Sequence, residues 1–106
     1  MPKYMYQAHY TAEGAKGLTH EGGSGRREAV RKMAEAAGGK LESIYFGFGE
    51  TDVYAIVDFP DNVTAAAASL AVNQSGVTAT RTIVLMTPEE MDAAAKKTIA
   101  YRPAGG

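Results

Sequence analysis

Residues 3–10, KYMYQAHY, alternate strictly, with Tyr4, Tyr6, Ala8 and Tyr10 on one side and Met5, Gln7 and His9 on the other. Period-2 alternation this rich in tyrosine predicts a half-buried strand. Residues 11–25, TAEGAKGLTHEGGSG, carry five glycines and no lasting period, which predicts a long surface loop with the length of a lid. Ser24 then caps a helix whose Arg26, Val30, Met33, Ala34 and Ala37 share one face, with Glu28–Lys32 and Arg31–Glu35 pairs outside. Gly38-Gly39 supply its stop.

The segment KLESIYFGFG predicts a second strand with Leu41, Ser43 and Tyr45 on one face and Ile44, Phe46 and Phe48 on the other. The turn GETD reverses the chain into DVYAIVDF, an antiparallel third strand. There Val53, Ala55, Val57 and Phe59 alternate with Asp52, Tyr54, Ile56 and Asp58, and Pro60 ends the strand. An Ala-rich helix follows, capped by Asp61 or Asn62, with Val63, Ala66, Ala67, Leu70 and Ala71 as its apolar face. VTATRTIVLM is a fourth strand with Thr78, Thr80 and Thr82 at every second position. TPEE combines a capping threonine, a proline at the first helical position and Glu90 to complete a capping box. Met91, Ala94, Ala95, Thr98 and Ile99 line one side of that last helix.

The order is βαββαβ plus a C-terminal helix, an α+β, ferredoxin-like plan with a four-stranded antiparallel sheet. Right-handed crossovers set both main helices on one sheet face, the one carrying Val53, Ala55, Val57, Phe59, Ile44, Phe46 and Phe48. The other face mixes His9, Gln7, Ser43, Tyr45, Asp52, Tyr54 and Asp58 with Met5, Leu41 and Ile56. No helix remains to cover it, so the expected cover is a second copy of the chain. Residues 1–101 form a single domain and 102–106 a flexible tail.

Composition narrows the chemistry. With 106 residues, a net charge of −1 and no basic cluster interleaved with aromatics, nucleic acid is not an expected partner. Cysteine is absent, which removes disulfides, thiolate catalysis and Cys-based zinc sites. No apolar run approaches the roughly 20 residues of a membrane helix, and the polar N-terminus does not resemble a signal peptide, so a cytoplasmic location is expected. EGGSGRRE has the glycines and arginines of a phosphate loop but neither the Walker Lys-Ser/Thr pair nor dinucleotide spacing.

The stretch GGKLESIYFGFGETDVYAIVDFPDN, followed by the Ala-rich helix, resembles the GYD-domain family, small bacterial proteins of the dimeric α+β barrel type. The resemblance runs from YTAEGAKGL through VLMTPEE. Gly49 and Asp52 match the family's Gly and Asp, whereas Thr51 stands where its tyrosine is expected. The resemblance implies a ferredoxin-like fold and sheet-to-sheet pairing but no single reaction. Related dimeric barrels include cofactor-free monooxygenases, haem-binding enzymes, dehalogenating and isomerising enzymes, and plain ligand binders, and a shared fold does not choose among them.

Five residues are the candidates for chemistry. His9 is a general base or a haem or metal ligand, or else a hydrogen-bonded interface histidine. Asp52 either bonds the turn's own N–H groups or orients His9 and binds a substrate donor. Tyr45 and Tyr54, with Gln7 beside them, line an aromatic ligand pocket or pack in a dimer interface. Asp58 shares the face of Asp52, but six residues at ~3.3 Å each put it about 20 Å away, too far for a carboxylate dyad. Arg81 interrupts the apolar set Ala79, Ile83 and Leu85, either as a partly exposed strand-end residue or as an anion contact. Two histidines without cysteine define no metal site, and no cofactor is specified.

The expected function is a homodimer or larger homo-oligomer enclosing a small-molecule pocket between sheet faces. The alternatives are an enzyme of the cofactor-independent barrel type, with His9 as proton acceptor and Tyr45 or Tyr54 as proton donor, and a purely structural or regulatory oligomerisation module.

Overall fold

Alternation along 3–10 is realised as β1 (Lys3–Tyr10), whose Tyr4 and Tyr6 are buried in a computed structural model describing residues 1–106. After it come α1 (Ala12–Ala36), β2 (Lys40–Phe46), β3 (Val53–Asp58), α2 (Asn62–Gln74), β4 (Thr78–Leu85) and α3 (Pro88–Ala95). The four strands form one antiparallel sheet in the order β2-β3-β1-β4, and the α+β order matches the ferredoxin-like plan. The core sits between this sheet and α1 and α2: Tyr4, Tyr6, Ala55, Val57 and Phe59 meet Ala34, Ala65 and Ala68. Two aromatic contacts tie it together, with Tyr4 and Tyr6 each 6.2 Å from Phe59 between ring centroids.

The expected loop over 11–25 is helical instead. Thr11 caps α1 by accepting from the Gly14 N–H, and the helix runs through the glycines with one break at Gly22 (φ +80). Five glycines weaken a helix but do not forbid it. Here Thr11 N–H donates to the Val77 carbonyl at 3.0 Å, and Gly14 lets the helix approach that same carbonyl, which a Cβ would meet at 2.1 Å. The start of α1 is thus pinned to the loop before β4, and Ser24 lies inside the helix rather than capping it. Outside, Arg31 pairs with both Glu28 and Glu35, so Glu28 bonds Arg31 rather than Lys32.

Three other expectations are corrected. In β2 a bulge between Leu41 and Ser43 resets the alternation, so Leu41 opposes Val57 and packs with Ile44 against the core instead of sharing the face of Ser43 and Tyr45. A bulge adds one residue to one strand and flips everything beyond it to the opposite face. Phe48, expected under the helices, is fully exposed in the hairpin turn. In α2 the buried stripe is Ala65 and Ala68, with Val63 and Leu70 left outside. Tyr6 donates to the Ala65 backbone carbonyl at 2.7 Å. The caps are where the sequence puts them. Asp61 accepts from the Thr64 N–H at 2.8 Å, and Thr87 and Glu90 form the reciprocal box of α3. No residue of α3 is buried, including Met91, Ala94 and Ala95.

Candidate functional site

The sheet face opposite the helices is built in cross-strand rows fixed by the register. One row runs Tyr45, Tyr54, Gln7, Arg81 across β2, β3, β1 and β4. The neighbouring row toward the hairpin places His9 on β1 between Asp52 and Ala79. On the other side come Ser43, Ile56, Met5 and Ile83, followed by Asp58, Lys3 and Leu85. All five residues singled out from the sequence therefore occupy two adjacent rows, and Arg81 joins them in mid-strand.

His9 Nδ1 lies 3.1 Å from Asp52 Oδ2, with side chains 61% and 27% exposed. The same Asp52 oxygen accepts from the Tyr10 backbone N–H at 2.9 Å, and the Asp52 backbone N–H donates to the Ala8 carbonyl at 2.8 Å. The Asp52 carboxylate is thus anchored across strands to β1, while its backbone carbonyl accepts from the Gly47 N–H of its own turn at 2.9 Å. That anchoring fixes the carboxylate beside the imidazole, whose Nε2 has no partner in the chain. Tyr45 is exposed and Tyr54 is at the margin of exposure. Gln7 Nε2 reaches the Met5 sulfur at 3.8 Å. No three His, Asp or Glu side chains converge.

At the far end of the face, Lys3 Nζ contacts Glu42 at 2.5 Å and Asp58 at 2.9 Å. The β2 bulge brings Glu42 to this cluster, and the two carboxylates together raise the Lys3 ammonium above its usual pKa. Asp58 is committed to that ion cluster and is remote from Asp52, as strand length requires.

A second feature lies on the helical side, where sequence reasoning put only core. A cavity of about 220 Å³ opens between the sheet, α1 beyond Gly22, and the end of α2. Its apolar wall comes from Ile44, Val53, Ala55 and Val57 on β2 and β3. The polar lining residues are Arg26, Ser75, Thr78 and Thr80, joined by the hydroxyl of Tyr10. The regular spacing of threonines along β4 was the available signal, since the register sets Thr78, Thr80 and Thr82 opposite Tyr10, Ala8 and Tyr6 on the helical face.

Fold and site define a small ferredoxin-like α+β protein with an open, partly polar sheet face. A GYD domain model matches residues 4–95, and the chain belongs to that family. Neither a curated protein nor a solved structure matches it. No helix is long and apolar enough to cross a membrane.

Proposed function

We propose that this GYD-domain protein works as a homo-oligomer, a dimer at least, in which a second copy covers the open sheet face and a small molecule binds between the two. The observation that carries the reading is the anchored His9–Asp52 pair on a face that no helix covers. Around it stand Gln7, Tyr45, Tyr54 and Arg81, a set of hydrogen-bonding groups and aromatic rings suited to orienting a small polar ligand. The apolar row of Ile56, Met5 and Ile83 beside them gives the partner copy something to bury. Only 10 of 106 residues are buried in the single chain, and burial against a partner offsets so small a core.

An enzymatic version rests on the same contact. Asp52 on Nδ1 leaves the His9 Nε2 free to accept a proton, and Tyr54, diagonal to His9 across β1 and β3, is the nearer phenol to return one.

Native mass spectrometry of the intact chain tests the assembly. A dimer or larger is expected, and Ile83→Glu, on the edge strand β4 beside Met5, is expected to yield a folded monomer. A wild-type monomer would overturn the reading. His9→Ala is expected to leave the assembly intact and to remove ligand mass carried by the wild type. Retention of that mass by the variant would move the ligand elsewhere.

A further inference from the structure

The cavity on the helical side is separated from the His9–Asp52 pair by the sheet itself and exists in a single chain, so what it binds is independent of any assembly. Protein interiors are packed to leave few voids larger than water, and an unfilled one costs stability roughly in proportion to its volume. At about 220 Å³ it exceeds the ~150 Å³ apolar cavity known to take up benzene. Twelve of its 16 lining residues are hydrophobic, which sets the body of the occupant as apolar.

The polar groups are gathered on one side. Tyr10 and Thr78 are cross-strand partners, and Thr80 is the next helix-facing residue of β4. Thr80 Oγ1 is shut off from solvent and has no hydrogen-bond partner. Arg26 is the sole charged lining residue, and no carboxylate lines the cavity. Its one ionic contact is a loose 3.4 Å approach to Glu21, which leaves most of the guanidinium's five N–H donors free. Burial, helped by the Glu21 and Asp52 carboxylates nearby, outweighs the Arg26 charge and raises the Tyr10 phenol's pKa, so at neutral pH it is an un-ionised donor.

We propose that this cavity binds a small organic carboxylate with an apolar body of one or two rings. Its carboxylate meets Arg26 and the Tyr10 hydroxyl, and its body lies against Val30, Met33 and Ala55. The charge of Arg26 and the absence of acidic lining residues select an anion over a neutral or cationic ligand.

The test is a titration of the full chain with 2-naphthoate and its neutral counterpart 2-naphthamide, followed by calorimetry and by methyl resonances of the methionines. Met33 lines the cavity and Met5 lies on the open face, so the two methyls report the two sides of the sheet. Naphthoate, with about 13 non-hydrogen atoms, is expected to bind one per chain with a Kd of about 1 mM or tighter. It is expected to shift Met33 and leave Met5 in place. Arg26→Met, which keeps an apolar stem, is expected to weaken naphthoate about tenfold or more and to erase its advantage over the amide. Absence of saturable binding, a shift confined to Met5, or an Arg26→Met variant that still prefers naphthoate would each overturn the proposal. Binding unchanged in Ile83→Glu keeps this result separate from the fate of the open face.

Discussion

Thr82, like Thr80, holds a hydroxyl with no partner and no access to water, on the strand that packs against α2. A buried, unanswered hydroxyl costs about 1–3 kcal/mol of desolvation. Thr82 does not line the cavity, so Thr82→Val, which preserves the shape, is expected to raise stability by about 1 kcal/mol, read as a higher denaturant midpoint at unchanged slope. The opposite sign is expected at Gly39. A Cβ there would fall 2.1 Å from the Asp58 carbonyl oxygen and 2.8 Å from Phe59 Cδ1, backbone and buried ring. Gly39→Ala is therefore expected to cost more than about 2 kcal/mol in equilibrium unfolding. Tyr6 supplies a pH signature. Burial pushes its phenol up to about 12 from the ordinary 10, so the unfolded chain ionises first. Stability from this group is complete below pH 10 and falls as pH rises toward 12, by at most about 3 kcal/mol. Tyr6→Phe is expected to flatten that part of the stability–pH curve and, by losing the 2.7 Å bond to the Ala65 carbonyl, to cost about 1 kcal/mol at neutral pH.

At the scale of elements, the pieces set by local chemistry were legible in the sequence. The alternation of β1 and β3, the Asp61 cap and the Thr87–Glu90 box depend on residues within a few positions of each other. The misread pieces depend on contacts far along the chain. The start of α1 is held by Val77, which no window around residues 11–25 contains. In α2, alanines surround the helix, so the apolar pattern does not single out the inward face, which is Ala65 and Ala68, with the Ala65 carbonyl bonded to Tyr6. Parity placed His9, Asp52, Gln7, Tyr45 and Tyr54 on one face, but only the strand order makes them neighbours. The cavity left a fainter trace, threonines at helix-facing positions, because a void is a property of packing between elements. α3 is fully formed by its own capping yet buries nothing. Removing residues 87–106 is accordingly expected to change the stability of the remaining domain by less than about 0.5 kcal/mol, measured by urea titration of the truncated and full chains.

For the whole molecule, the radius of gyration is 16.7 Å, against about 13 Å for a compact chain of this length. Every residue from Met86 to Gly106 is exposed, including Met86, Met91, Ile99 and Tyr101. Together with Val63 and Leu70 on α2, these leave apolar surface outside the open sheet face as well. The two sides of the sheet have separate chemistry, an anchored His–Asp pair on one and an arginine-topped cavity on the other, so a substitution on one side leaves the groups of the other in place.

The β2 bulge also governs what the rim of the sheet offers to another chain. β2 is an edge strand, and an unbroken edge offers its spare N–H and C=O groups as a template for another chain to extend the sheet. Between Leu41 and Ser43 the ladder loses its regular spacing, and Glu42 and Lys3 place charge beside the break. That rim is thereby a poor template for ribbon-like growth.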